Sequence, residues 1–263
     1  MMGWRFDFKS VEFTNIRMSI PALPESFHHY RIIQISDFHL GTWLRHRHLE
    51  QIVHRVNSLH PDLIVITGDF VNHNADKYAP GLVEVLSVLR AKDGIVAVLG
   101  NHDHWTNPEA VRWALRRSNI KELNNSVIPI SRNGSSIHLA GIDDHLAGFD
   151  DLCSVLDQMP ADAITILLAH EPDFAEHSAR TGRFVLQLSG HSHGGQIRLP
   201  IIGTPYLPPL GRLYPRGLYT IDGMKLYTNR GLGTSWLGLR INCPPEITIF
   251  TLDACQTSRQ VGT

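Results

Sequence analysis

The stretch RIIQISDFH, residues 31–39, places an apolar segment directly before Asp37 and His39. Four further apolar runs rich in Val, Ile and Leu follow along the chain: DLIVIT (62–67), IVAVL (95–99), AITILL (163–168) and FVLQL (184–188). Segments with the apolar spacing of helices lie between several of them, at 47–58, 80–91, 108–118 and 149–158. This alternation predicts an α/β fold whose sheet strands are buried on both faces.

Two turns and the C-terminal part complete the expected organisation. Asn133-Gly134 and Asp222-Gly223 are typical of two-residue hairpin turns, in which both positions need a positive φ. In residues 196–252 we expect short strands joined by loops rich in Pro and Gly. Because no repeat, low-complexity tract or linker divides the chain, we expect residues 1–263 to form a single domain.

Composition argues against several classes of protein. With 24 Lys plus Arg against 25 Asp plus Glu, the near-zero net charge is atypical of nucleic-acid-binding proteins, which are usually basic. Cys153, Cys243 and Cys255 are too few and too scattered for a disulfide framework or a thiolate metal site, which fits a reducing compartment. The sequence contains no signal-peptide core and no apolar run of the roughly 18 residues that a membrane span needs. We therefore expect a cytoplasmic protein, with peripheral contact at a membrane as a further option.

Side chains that bind metals or protons follow all five apolar runs. Ligands bind beyond the carboxyl ends of the strands in open α/β sheets, so we expect these side chains to converge. In chain order they are Asp37 and His39, then Asp69, then Asn101, His102 and Asp103, then His170, then His191 and His193.

The donor types narrow the metal. The carboxylates and carboxamide are Asp37, Asp69 and Asn101, and the imidazoles are His39, His170, His191 and His193. A mixed O/N set without sulfur suits Mn, Fe, Zn, Ni or Co rather than a structural zinc or a calcium loop. Seven ligands are too many for one ion that keeps a position open for substrate. We therefore expect two divalent transition-metal ions sharing one carboxylate, with Mn as the first choice and Fe, Zn or Ni as alternatives.

The order DxH, GD, GNHD, H and GHxH across residues 37–193 resembles the calcineurin-like metallophosphoesterase superfamily. This resemblance implies a four-layer α/β sandwich in which two central β-sheets are flanked by helices. The extended run GHSHGGQIRLP and the later NRGLG, residues 229–233, are similar to one branch of that superfamily. That branch includes bacterial cell-envelope phosphodiesterases and the UDP-2,3-diacylglucosamine pyrophosphatases of lipid A synthesis.

The resemblance also implies a division of the ligands between two ions. One ion would be held by Asp37, His39 and His193, the second by Asn101, His170 and His191, and Asp69 would bridge them. Two ions about 3.5–4 Å apart can acidify a bridging water and clamp the phosphoryl oxygens. The hydroxide would then attack phosphorus in line with the leaving group, without a covalent intermediate.

Two residues beside the ligands resemble the catalytic acid of the family and its support. His102 would protonate the leaving oxygen or stabilise the charge on it, and Asp103 would hydrogen-bond to His102 and orient it. A passive structural histidine and a simple loop cap are the alternatives for these two residues.

Other candidates for substrate contact also have plain structural interpretations. His104 and Trp105 adjoin the site and could line the cleft, or simply pack. The loop 199–219 is rich in apolar residues and contains Arg212 and Arg216. It could hold an acyl chain or rest on a membrane while an arginine meets phosphate, or it could be a Pro-stiffened connection packed on the second sheet.

Three polar clusters stay ambiguous at this point. Residues 143–145 (DDH) could reach the cleft, although a polar turn is the plainer interpretation. The basic cluster 45–48 (RHRH) is more typical of a solvated helix start than of a phosphate site. Arg230 could contact substrate or pair with Glu246.

The sequence as a whole indicates a phosphoesterase acting on a phosphodiester or diphosphate, including a UDP-2,3-diacylglucosamine-like lipid as one option. A nucleotide phosphodiesterase or nuclease on the same site is the first alternative, because metal motifs report the reaction and not the substrate. The second alternative is a non-catalytic scaffold of the same fold, which the complete ligand set disfavours. The oligomeric state does not follow from the sequence.

Overall fold

Two six-stranded mixed sheets form the centre of the computed structural model, which describes residues 10–235 and 237–254. The strands of the first sheet are, in spatial order, β1 (Glu12–Ile20), β12 (Glu246–Ala254), β2 (Tyr30–Ile35), β3 (Leu63–Thr67), β4 (Ile95–Val98) and β5 (Lys121–Glu122). Strands β2 to β5 are parallel to one another, β12 is antiparallel to β2, and β1 is parallel to β12.

The second sheet has a parallel centre and two antiparallel edges. Its strands are, in spatial order, β10 (Gly217–Ile221), β11 (Met224–Thr228), β9 (Leu186–Ser189), β8 (Thr165–Leu168), β7 (Ser135–Gly141) and β6 (Ser126–Arg132). Strands β11, β9, β8 and β7 are parallel, whereas β10 and β6 pair antiparallel through hairpins. Both predicted turns are confirmed, since φ is 49° and 79° at Asn133 and Gly134 and 46° and 89° at Asp222 and Gly223.

Helices cover the outer face of each sheet. They are α1 (His46–Ser58), α2 (Ala75–Leu86), α3 (Asn101–Thr106), α4 (Pro108–Arg117), α5 (Leu152–Gln158) and α6 (Ala175–Ser178). The start of α4 shows why such segments become helical. The Asn107 side chain accepts a hydrogen bond from Ala110 N, and Pro108 occupies the first turn, where its missing N–H leaves no bond unmade.

Alternate residues of one strand enter different cores. Ile64 and Ile66 of β3 pack with residues of α1, α2 and α4, whereas Leu63 and Val65 pack with Ile166 and other residues of the second sheet. A third cluster joins the far face of the second sheet to α5 and α6. The order helices, sheet, sheet, helices follows from this two-residue period and confirms the expected four-layer sandwich.

All five predicted strands form within three residues of the expected bounds, but other expectations need correction. Helix α2 spans Ala75–Leu86 instead of 80–91, because Asn74 caps it by accepting from Lys77 N and Pro80 lies inside the helix. Strand β1 and helix α3 were not predicted. The C-terminal part holds the short strands β10 and β11 but also the nine-residue β12. Between residues 196 and 216 only the bridges Ile197–Ile241 and Leu199–Gly203 form.

Two smaller observations concern membrane spans and thiols. Within the part of the chain that the structure describes, no helix is long and apolar enough to cross a bilayer. Cys153 is an exposed free thiol and Cys243 a buried one. Cys255 lies outside the described residues.

Candidate metal centre

The structure brings all seven predicted ligands to one end of the two sheets, where β2, β3, β4, β8 and β9 end. Each ligand lies in the turn that follows its strand, except Asn101, which opens α3 directly after β4. All seven are buried: Asp37, His39, Asp69, Asn101, His170, His191 and His193.

The turns that carry these ligands are strained. Five of the seven ligands have a positive φ: Asp37 (51°), His39 (44°), Asp69 (55°), His191 (67°) and His193 (53°). Residues other than glycine rarely adopt this conformation, and such strain concentrates at functional sites. The strain shows that the surrounding structure holds these turns in a geometry that local preference alone would not select.

Glycines beside the ligands make the close packing possible. A Cβ at Gly100 would lie 2.4 Å from Asp69 Oδ1, and one at Gly190 would lie 2.4 Å from Asp37 Oδ2. Any larger residue at these two positions would therefore push a carboxylate out of the site.

The first group of ligand atoms comes from Asp37, His39 and His193, all within 4.8 Å of one another. His193 Nε2 is 3.5 Å from Asp37 Oδ1 and 2.9 Å from His39 Nε2. Two ring nitrogens that face each other at this distance need a proton or a cation between them. These three residues therefore fit a divalent ion.

The second group consists of Asp69, His170 and His191. Asp69 Oδ2 is 3.3 Å from His170 Nε2 and also 3.3 Å from His39 Nε2, so one carboxylate oxygen reaches both groups. Asn101 Oδ1 is buried and has no hydrogen-bond partner among the described residues. A buried acceptor of this kind is costly without a partner, and a cation would supply one.

Hydrogen bonds to the outer ring nitrogens orient the imidazoles. His39 Nδ1 donates to Asn72 Oδ1 at 3.1 Å, and His170 Nδ1 donates to the Thr67 carbonyl at 2.7 Å. Both bonds leave Nε2 as the ligand atom, as is usual for histidines that bind metals. His191 is turned the other way, because its Nε2 is 2.8 Å from the Pro209 carbonyl. Its Nδ1 is then the nitrogen left for a metal.

Burial keeps these histidines in the form that binds metals. It lowers the pKa of His39 and of His191 to about 3 and the pKa of His193 well below its usual value, so these rings are neutral near pH 7. Burial raises the pKa of Asp37 to about 6. Burial would also raise the pKa of Asp69, but the positive field of His170 and its neighbours holds it well below the usual range. Burial would lower the pKa of His170, but the negative charge of Asp69 beside it holds that pKa well above its usual value. Near pH 7 the site therefore offers two carboxylates, three neutral imidazoles and one imidazole, His170, whose proton a cation would have to displace.

His102 lies beside both groups and is half-buried. Its backbone N–H donates to Asp69 Oδ1 at 2.9 Å, and its Nδ1 is 2.9 Å from the Asn72 carbonyl, which leaves Nε2 for proton transfer or for a ligand. His39, Asp69 and His102 also meet the distance requirement for a shared ion. The geometry therefore allows His102 to act either as an acid or as a ligand.

Asp103 is not placed to orient His102, and that expectation was wrong. Its buried carboxylate accepts from three backbone N–H groups, those of Phe70, Val71 and Gly100, at 3.0–3.3 Å. Asp103 lies in the first turn of α3, and its carboxylate points at these N–H groups. Asp103 thus fixes the turn that carries Asp69, and the residue that holds the His102 ring is Asn72.

Three residues expected to contact substrate lie elsewhere. His104 points away from the site, where its Nε2 is 2.7 Å from Asp143 Oδ1 and its ring stacks on Phe149. Arg212 and Arg216 are exposed and do not line the cavity at the ligands. Successive residues of α3 face different directions, so His104 packs against Asp143 and Phe149 while Trp105 faces the cavity.

A cavity of about 450 Å³ opens over the ligands. Its floor includes His39, Asp69, Asn101, His102, His191 and His193. Its walls are mostly apolar and include Trp105, Leu146, Ile197, Tyr206, Pro208 and Leu237. No lysine or arginine lines it among the described residues. The loop 199–219 therefore forms part of the wall through Pro205, Tyr206, Pro208 and Pro209.

The polar clusters that stayed ambiguous are now explained. Arg230 pairs with Glu246 and Glu12, both at 3.0 Å, and so has a structural role. Asp143 pairs with His104 and Arg112. The basic cluster 45–48 forms the start of α1.

Arg240 belongs to none of the sequence motifs, yet it supports the site. Its guanidinium donates to the carbonyls of Arg230, Gly231 and Gly233 and lies 3.2 Å from His193 Nδ1. Gly231 packs against Asp37, where an added Cβ would lie 2.6 Å from Asp37 Cβ. Arg240 therefore supports the first group of ligands through His193 and through the turn that packs on Asp37. It is far in sequence from the motifs that contain these ligands.

Comparisons with known proteins agree with this geometry. A model of the calcineurin-like phosphoesterase family matches residues 30–195. The metallophosphoesterase YkuE of Bacillus subtilis is 37% identical over 248 residues, which cover 92% of this chain and 85% of that protein. The phosphodiesterase YaeI of Escherichia coli is 30% identical over 243 residues, which cover 91% of this chain and 88% of that protein.

Solved structures show the same fold. Phosphopantetheinyl hydrolase PptH of Mycobacterium tuberculosis superposes with a TM-score of 0.50 at 11% identity, covering 80% of this chain and 91% of that structure. The sulfate thiohydrolase SoxB of Thermus thermophilus gives a TM-score of 0.51 at 13% identity, covering 88% of this chain and 57% of that structure. At such low identity, these two structures support the two-sheet architecture alone.

Proposed function

The chain belongs to the calcineurin-like phosphoesterase family and is a metal-dependent phosphoester hydrolase, and we propose that it uses two ions. In this proposal one ion is held by Asp37, His39 and His193, the other by Asn101, His170 and His191, and Asp69 bridges them. The observation that carries the proposal is the position of Asp69 Oδ2, 3.3 Å from a histidine of each group. We propose Mn as the native metal, with Fe, Zn or Ni as alternatives, because the ligands are oxygen and nitrogen without sulfur.

Two divalent ions supply positive charge to the phosphoryl oxygens and acidify water near neutral pH. The protein residues then position the reaction. Hydrogen bonds to the outer ring nitrogens keep the ligand nitrogens of His39, His170 and His191 turned inward, and burial excludes competing water. We propose that His102 gives a proton from Nε2 to the leaving oxygen, because the Asn72 carbonyl already holds its Nδ1.

The cavity supports an amphipathic substrate. Apolar walls beside buried carboxylates and imidazoles suit a molecule with a phosphoryl group at one end and an apolar group at the other. We propose an acylated phosphodiester or diphosphate, such as a UDP-2,3-diacylglucosamine-like lipid. A substrate of this kind resides in a membrane, so the proposal includes peripheral contact with a bilayer.

One observation favours a second candidate, a nucleotide phosphodiesterase. Trp105 is 62% exposed at the cavity, and its ring centre lies 5.0 Å from that of His102. An exposed indole at this position could stack a nucleobase, which contributes about 1–3 kcal/mol per base.

The test compares kcat/KM for an acylated substrate and its deacylated counterpart, both below the micelle concentration and with Mn supplied. Each buried methylene contributes about 0.8 kcal/mol, so three methylenes should raise kcat/KM for the acylated substrate more than about tenfold. Tyr206→Asp and Leu237→Asp should narrow this difference, since both residues line the cavity. Leu213→Asp is the matched control, because Leu213 is exposed in the same loop but does not line the cavity. Equal kcat/KM for the pair would refute the acylated substrate, and a Trp105→Ala loss confined to nucleotide substrates would favour the second candidate.

A further inference from the structure

A tight turn beside the cavity exposes two isoleucines. Leu199 and Gly203 pair across it, and we call residues 199–203 the apolar tip. Ile201, at its centre, is fully exposed with a φ of 69°, and Ile202 is 71% exposed. A β-branched residue in this left-handed conformation is a genuine outlier. The turn therefore holds apolar side chains in water at the expense of backbone strain, which folding of the chain alone does not explain.

The apolar tip lies at the rim of the cavity. The chain lines the cavity directly before the tip with Ile197 and directly after it with Pro205 and Tyr206. Leu237 and Trp105, which also line the cavity, are exposed. Exposed apolar side chains thus continue from the tip into the cavity wall.

The chain segment that carries the tip is basic. Residues 196–221 contain Arg198, Arg212 and Arg216 and no Asp or Glu. Among the described residues, none of these three arginines forms a salt bridge, in contrast to Arg17, Arg112, Arg132 and Arg230. Arginines without salt bridges, carried by the same segment as an apolar projection, complement the headgroups of an anionic lipid surface.

We propose that the apolar tip inserts into the headgroup region of an anionic bilayer and holds the mouth of the cavity at the membrane. A second copy of the chain is a poorer occupant, because a two-fold contact through this surface would bring the same arginines of both copies together. The inference extends the proposed lipid substrate, on which it rests for its biological purpose, but the binding itself depends only on the tip and the arginines.

Binding is tested with the full chain and sedimented vesicles, without substrate. One set of vesicles contains phosphatidylcholine alone and the other adds phosphatidylglycerol. The main variant combines Ile201→Asn with Ile202→Ser. Asn tolerates the left-handed conformation that strains Ile201, so this variant should fold at least as well as the parent chain. Val88→Ser is the matched control, because Val88 is an exposed apolar residue outside the tip.

We expect the parent chain and Val88→Ser to bind vesicles with phosphatidylglycerol, and the tip variant to bind at least about tenfold more weakly. Arg212→Gln with Arg216→Gln should weaken binding about fivefold or more for each arginine and reduce its dependence on salt, with Arg198 accounting for the remainder. Hydrolysis of a small soluble phosphodiester should be unchanged in the tip variant, since neither isoleucine lines the cavity. No binding by the parent chain, equal binding by the tip variant, or a tip-dependent dimer in place of vesicle binding would each overturn the proposal. If vesicles bind but acylated and deacylated substrates react equally, the lipid substrate fails while the membrane contact stands.

Discussion

The seven candidate ligands and the segment 196–216, which forms part of the cavity wall, are built in opposite ways. The ligands follow strands directly, they are buried, and hydrogen bonds fix the outer nitrogens of the imidazoles. The wall contains no strand before Gly217, exposes Ile201, Ile202 and Tyr206, and leaves its arginines without salt bridges among the described residues. The reaction chemistry therefore rests on rigid elements, and the features proposed to select substrate rest on irregular chain.

This difference determines which features of the site can be recognised from the sequence and which only from the structure. A strand end fixes both the position and the direction of the residues that follow it, so a ligand can be recognised from a short motif. An irregular segment takes its shape from distant contacts, and its chemistry becomes visible only in three dimensions. Changes among the ligands should therefore affect the reaction on every substrate, whereas changes in the wall should affect some substrates and spare others.

The largest effect should come from Asp69→Ala. Because Asp69 Oδ2 reaches both groups of ligands, its loss should release both ions and lower kcat roughly 10⁴-fold or more on acylated and deacylated substrates alike. Metal content after equilibration with Mn and gel filtration is the measurement. Asp37→Asn is the matched control and should lose only the ion of the first group. Retention of two ions by Asp69→Ala, or of at most one ion by the parent chain, would show that no bridge exists.

His102→Ala should have the second largest effect and should separate acid catalysis from metal binding. We expect both ions to stay and kcat to fall about 10²- to 10⁴-fold for a poor leaving group such as an alkoxide. The loss should shrink for p-nitrophenolate, which needs no proton to depart. Asn72→Ala, which removes the Asn72 side chain from His39 but leaves the carbonyl that holds His102, provides the comparison. Loss of an ion from His102→Ala would identify His102 as a ligand, as the cluster of His39, Asp69 and His102 also allows.

The strands and the convergence of the seven candidate ligands could be predicted because local sequence determines them. Buried parallel strands appear as unbroken runs of Val, Ile and Leu, as in Leu63–Thr67, and the polar residues after them have few structural reasons to be there. The edge strand β1 was missed because its burial is partial and its apolar residues are interrupted by Asn15 and Arg17. Only short strands were expected in the C-terminal part because the chain there is rich in Pro and Gly, so the length of β12, whose nine residues pair with both β1 and β2, was not predicted.

The neighbours of the ligands could not be predicted in the same way. Whether Asp103 faces His102 or the backbone of Phe70 depends on helix α3, which has only six residues and no apolar period to reveal it. His104 pairs with Asp143, 39 residues away, and nothing in the local motif indicates that contact. The residue types of the candidate site could therefore be predicted from the sequence, whereas the directions in which the neighbouring side chains point could not.

Arg240 tests the boundary between the two regions, because it belongs to the C-terminal irregular chain yet supports the ligands. Its planar guanidinium spans the carbonyls of Arg230, Gly231 and Gly233, and these carbonyls hold the turn that packs on Asp37. Arg240→Met should weaken the ion of the first group about 10- to 100-fold, the usual cost of losing a residue that positions a ligand, and should leave the other ion nearly unchanged. Arg240→Lys should recover only part of this affinity, because one ammonium group cannot reach three carbonyls in a fork. The measurement is a calorimetric titration of the metal-free protein with Mn, which resolves the two sites. Arg212→Met is the control for the loss of one positive charge. If Arg240→Met bound the first ion more tightly, the main effect of the guanidinium would be to repel the metal cation. The proposed supporting role of Arg240 would then be wrong.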